Sequence, residues 1–151
     1  FVQRMIPHHA QALEMTALVR ARSADPAVRR LAERIELSQA DEIAFMREWL
    51  DARGERAPRP GEPHAHHDTV PGMLTAEELG RLAAASGAAF DRLFLELMIR
   101  HHEGALAMVA ELMAAPEGAG DPELFAFATS VDTDQRMEIA RMRAMLEERR
   151  R

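Results

Sequence analysis

Cysteine is absent from this chain of 151 residues. That excludes disulfides and thiolate metal sites, and leaves the methionine thioether as the only soft ligand. No apolar run approaches the ~20 residues that a membrane-spanning helix needs. The formal net charge is −6, and the arginines are spread along the chain except at Arg149-Arg150-Arg151. The basic patch of a nucleic-acid binder is therefore missing. No signal peptide is visible, and no strand pattern competes with the helical one. The paired histidines have no serine or cysteine beside them, so a nucleophile–base arrangement is lacking and a hydrolase is not expected.

Methionine, in contrast, is abundant, with ten residues, and the chain is 47% hydrophobic and 29% charged. These values describe one soluble domain over 1–151, long enough for a real core. Taken singly, each methionine reads as a flexible core filler. The organising feature is an internal repeat. FVQRMIPHHAQALEM at 1–15 aligns without gaps to FLELMIRHHEGALAM at 94–108, with Phe, Met, Ile, both His, Ala, Leu and Met at a constant offset. We read this as a duplication. Phe94 is preceded by helical-looking sequence, AAFDRL, that has no counterpart before Phe1. The first helix is thus expected to have lost its beginning, and a leader could have been lost with it.

Apolar residues at helical spacing predict a first helix over 1–22, bent at Pro7 by the missing N–H. Asp25-Pro26 predicts an N-cap and a second helix to about Arg53, with Gly54 as its stop. Its apolar face carries Val28, Leu31, Ile35, Ile43, Met46, Trp49 and Leu50. Residues 54–72 hold four of the eight prolines and form an irregular, mobile linker. Its His64, His66, His67 and Asp68 read as a solvated tract outside any central site. Thr75-Ala76-Glu77-Glu78 is a capping box for a short helix to about Ser86, with Gly87 at its end. A further helix spans about 88–115. Asp121-Pro122 starts the last, with Leu124, Phe127, Val131, Ile139, Met142 and Leu146 inward. The predicted fold is all-α: a ferritin-like four-helix bundle of two duplicated hairpins (1–53, and 73–151 with the short helix) across the linker.

Polar residues interrupt the inward faces. With Met5 at the centre of the first apolar stripe, His8 lies about 60° to one side and His9 about 40° to the other. His101 and His102 stand the same way around Met98. Glu42 and Glu138 lie near the middle of the stripes on the second and last helices, flanked by Gln39 and Gln135. A lone buried carboxylate is costly, so each glutamate should have a partner. Matched helix midpoints should bring the four clusters to one layer. Three readings fit such a layer. One is a hydrogen-bond network of His with Glu42 and Glu138 that fixes helix register. Another is a metal site of imidazole, carboxylate and Met5, Met15, Met98 and Met108. The third is a ferritin-like di-metal oxidase, for which the carboxylate count is short.

The paired M-I-x-H-H motifs, with GMLTAEEL, FDRLFLELMIRHHEGALAM and the later Gln-x-x-Glu-Ile-x-x-Met, resemble the domain-of-unknown-function family numbered 305 across essentially the whole chain. The resemblance implies a ferritin-like helical bundle from a mostly bacterial family. Its members are often exported, some are linked with copper, and its general function is unassigned. His8, His9, His101, His102, Met5, Met98, Met15 and Met108 fall on the family's motif positions. The expectation is therefore a non-enzymatic, extracytoplasmic bundle that binds a metal ion, copper first, through these residues with Glu42 and Glu138. The alternative is a structural or protein-interaction bundle whose buried His and Glu residues need no metal.

Overall fold

The computed structural model describes residues 1–59, 70–115 and 120–150. They form five α-helices: α1 Val2–Arg22, α2 Pro26–Asp51, α3 Ala76–Ala84, α4 Gly87–Ala114 and α5 Pro122–Glu148. No strand occurs among the described residues. Helix α1 packs on α2 and α4 on α5; the two hairpins meet along α1 and α4, and α3 lies against both. This is the four-helix bundle with one short extra helix.

The helix starts are written locally. The Asp25 carboxylate accepts the N–H groups of Ala27 and Val28, with Pro26 in the first position. Asp121 accepts from Leu124 ahead of Pro122, and Thr75 with Glu78 closes a full capping box. A cap of this kind contributes about 1 kcal/mol. The two cap aspartates also tie the hairpins together. Arg53, past the end of α2, reaches Asp121 at 2.6 Å. Arg149, past the end of α5, pairs with Asp25. Partly exposed pairs contribute at most about 1 kcal/mol, so they align the hairpins more than they hold them.

Apolar burial carries the stability, and it comes as two clusters. One contains Met15, Leu31, Ile35, Phe90, Phe94, Met98, Met142 and Met145. The other contains Met5, Ile43, Met46, Ala105, Met108, Leu124 and Val131. Each long helix passes from one to the other. The changes fall between Ile6 and Ala12 on α1, Ile35 and Ile43 on α2, Met98 and Ala105 on α4, and Val131 and Ile139 on α5. The residues in each gap are the polar ones, so the core is two apolar blocks with a polar layer between them.

Some expectations change. Helix α1 is continuous from Val2 to Arg22 with Pro7 inside it. Helix α3 stops at Ala84, and Gly87 opens α4 with φ +58° instead of closing α3. Trp49, Phe127 and Leu146 are only partly buried, and α5 turns Ala128 and Met145 fully inward in place of the latter two. His64, His66, His67 and Asp68 lie outside the described residues, as does most of the expected turn at 116–121. The end of the expected linker is not free chain. Residues 70–74 cross the bundle as a strap: the backbone of Pro71 and Gly72 lies directly on α4 at Gly104, and Leu74 is buried.

Candidate metal centre

Successive helix residues diverge by about 100°, and this splits each histidine pair between two neighbours. His9 turns to α2, where its Nε2 lies 2.5 Å from Glu42 Oε2. In the other half, His102 Nε2 lies 2.7 Å from Glu138 Oε2. Each carboxylate accepts, so Nε2 donates. His8 and His101 turn to each other across the α1–α4 contact. Their rings stack, with centroids 3.8 Å apart and planes 28° apart. His8 also donates from Nε2 to the Pro71 carbonyl at 3.1 Å. All four rings are buried, none more than 1% exposed.

The layer is short of hydrogen bonds. Among the described residues, Nδ1 of His8, His9 and His102 and both nitrogens of His101 have no partner within hydrogen-bond range, although the His8 backbone carbonyl lies near His101. Neither do both amide atoms of Gln39 and Oε1 of Gln135, each one helical turn before its glutamate. A buried unpaired polar atom costs about 1–3 kcal/mol, and native interiors leave few of them. A purely structural network would close these atoms on one another. Imidazole nitrogens left bare instead keep lone pairs or N–H groups that no described residue takes up.

Methionine thioethers flank this set. Met5 precedes His8 by one turn and Met98 precedes His101 likewise, so each shares its histidine's helix face. Met5 and Met108 lie in one apolar block and Met15 and Met98 in the other, and all four are at most 1% exposed. The structure thus gathers His8, His9, His101, His102, Glu42 and Glu138 in one layer and sets the four methionines in the blocks on either side. Among the described residues no three His, Asp or Glu side chains are grouped so as to hold one ion.

Sequence reasoning passed over three participants. Asp134, one turn before Glu138, is half-buried, and its carboxyl is pushed up by burial and then by the charges of Glu42 and Glu138. Its i, i+4 spacing to Glu138 was the available signal. Gln11 and Gly104, which seat the strap, carried none, because the strap's return is a long-range contact.

Burial, then the nearby histidines, push the His8 and His101 rings well below the ordinary histidine value. Both are neutral in the fold at neutral pH. Below the unfolded value of about 6.5 the unfolded chain binds protons that the native layer refuses, so stability falls as pH falls. The expected slope is about 1.4 kcal/mol per pH unit for each histidine until its native ring titrates. Urea denaturation between pH 7 and 5, with chelator present, measures it. Stability flat across that range would show that the rings take up protons in place.

The sequence matches the family described as Domain of unknown function (DUF305) over residues 1–146. Among solved structures, a DUF305 fragment from Deinococcus radiodurans is 38% identical with a TM-score of 0.85, over 98% of this chain and 93% of that one. A DUF305 protein from Streptomyces coelicolor, named as secreted, is 31% identical with a TM-score of 0.86, over 99% and 91%. CopM in its Cu(I)-bound form is 28% identical with a TM-score of 0.77, over 98% and 94%. CopM is also known in Cu(II)-bound, silver-bound and apo forms. No curated protein matches the chain.

Proposed function

This chain belongs to the DUF305 family, and on that premise we propose that it is an extracytoplasmic metal-binding bundle whose polar layer takes up copper. The observation that carries the reading is the set of five bare imidazole nitrogens buried in one layer. His101 offers a free ring. His9 and His102 are held through Nε2 by Glu42 and Glu138, which leaves Nδ1 as the donor. That is the arrangement in which a carboxylate orients a histidine and raises its basicity toward a metal. Glu42 and Glu138 act here as orienters behind the ligands rather than as ligands. The four methionines supply thioethers, which with imidazole favour copper, and Cu(I) above all. Copper bound to the related CopM supports the choice of metal, and the Streptomyces relative named as secreted supports the compartment. Thioether and imidazole suit an oxidising compartment because neither is consumed by disulfide formation. We read the two hairpins as a ferritin-like duplication. The cross-hairpin pairs Arg53–Asp121 and Arg149–Asp25, at equivalent positions, support that. Binding rather than catalysis is the proposed activity.

The test is titration of the chelator-stripped protein with Cu(I) and Ag(I) against a competing ligand, for wild type, Glu42→Gln and Glu138→Gln. One tight Cu(I) site, weakened about 10–100-fold in each variant, is expected from loss of an orienting carboxylate. Absence of any tight site in wild type would overturn the reading. A second reading, a structural network without metal, has its own support in the closed His9–Glu42 and His102–Glu138 pairs. It gains nothing from the free ring of His101.

A further inference from the structure

The repeat is not perfect where it faces the strap, and the departures are complementary. Gln11 of the first copy stands where the second has Gly104, and Pro7 where the second has Arg100. Gln11 grips the strap at its far end: its Nε2 donates to the Leu74 carbonyl at 2.9 Å, and its Oε1 accepts the Leu74 N–H at 2.7 Å. Gly104 makes room for it. A Cβ there would sit 2.1 Å from the Pro71 carbonyl oxygen and 2.6 Å from the Gly72 Cα. These are backbone atoms that cannot swing aside as a flexible side chain would. Gly72 has φ +77°, and a Cβ on it would meet the Arg100 and His101 carbonyls at 2.7 and 2.9 Å. Beyond the strap, Arg100 clamps α3 through both oxygens of Glu78, at 2.5 and 2.7 Å. One copy of the repeat holds the strap, and the other is hollowed to seat it.

What the strap brings to the layer is one acceptor, the Pro71 carbonyl. A carbonyl can only accept, so the bond from His8 Nε2 fixes where the ring's proton sits. His101, the equivalent residue, has no acceptor within hydrogen-bond range among the described residues, the His8 backbone carbonyl being near it but outside that range. We infer that the strap is a positioning element. It locks His8 as the Nε2–H tautomer with its Nδ1 lone pair bare in the layer, and it does so because Gly104 lets the backbone of Pro71 lie on α4. His8, His9 and His102 then share one pattern, each held through Nε2 by an oxygen acceptor and each with Nδ1 free. His101 alone has neither nitrogen within hydrogen-bond range of a described residue. The two halves of the layer are therefore inequivalent, with three oriented donors and one adaptable ring. Its meaning for metal uptake rests on the copper reading; the tautomer does not.

The experiment is nitrogen-15 NMR of the histidine rings in metal-free protein at neutral pH, for wild type, Gly104→Ala and Gln11→Ala, followed by Cu(I) competition on the same samples. In wild type, His8 is expected as the pure Nε2–H tautomer and His101 as a mixture. Gly104→Ala should lift the strap, convert His8 to a mixture and weaken Cu(I) about 10–100-fold, the range for losing a second-shell partner. Gln11→Ala loosens the far end of the strap without touching either ring, and should shift His8 in the same direction by less. It also serves if Gly104→Ala does not fold. Wild-type His8 found as the Nδ1–H form, or averaged like His101, would overturn the inference. So would an unchanged His8 spectrum in both variants. A locked His8 in a protein that binds no Cu(I) would leave the strap's role standing and defeat the copper reading. Tight Cu(I) binding with an averaged His8 would do the reverse.

Discussion

Replacing His102 with alanine is expected to cost about 3–5 kcal/mol of stability at neutral pH, as breaking one side of a buried charged or hydrogen-bonded pair does. The Glu138 side chain is 7% exposed and meets His102 Nε2 at 2.7 Å. Without the ring, a carboxylate is left buried opposite a cavity. His9→Ala should cost less, because the Glu42 side chain is 13% exposed and water can partly replace the ring. The control is His102→Leu with Glu138→Leu. Removing both partners strands nothing, and such replacements are often neutral or stabilising by about 1–4 kcal/mol. Urea denaturation of the metal-free proteins at neutral pH makes the comparison. A His102→Ala cost under about 1 kcal/mol at neutral pH would mean that the pair does not hold the layer.

His101→Leu should do the opposite: little to stability and much to metal. His101 has no hydrogen-bond partner in range among the described residues, so its loss strands none of them, and a side chain of similar volume keeps the stack's space filled. Near-isosteric core changes cost less than about 1.5 kcal/mol. The pH slope of stability should also fall by about 1.4 kcal/mol per unit, since one of the two rings that refuse a proton is gone. Cu(I) affinity should drop by more than about 100-fold, beyond the upper end for an orienting residue, because a ligand rather than its support has been removed. Competition titration and denaturation on one preparation read both. Undiminished Cu(I) affinity in His101→Leu would take the free ring out of the proposed site.

The histidine pairing was only half legible before the fold. Helical periodicity put His8 and His9 on either side of the Met5 stripe, and put Glu42 and Glu138 at the centre of theirs. With His101 and His102 placed the same way about Met98, that is enough to turn all six side chains inward near one level. Which histidine meets a glutamate and which meets its own counterpart depends on the rotation of α1 against α2 and α4. Both rings border the same stripe, so the spacing treats them alike. Asp134 was within reach of the helical period, four residues before Glu138. Gln11, Gly104 and Pro71 were not within reach, since their roles exist only when residue 71 lies on residue 104.

The chain alone determined the helices, their caps, the repeat and the inward polar positions, because these follow from contacts within one or two turns of backbone. Tertiary structure decided the rest: the His8–His101 stack, the two His–Glu pairs and the strap that sets one ring's proton. Those depend on helix azimuth and on a chain return across the bundle. Both are settled only when the two apolar blocks close around the polar layer and leave each ring a single direction to face.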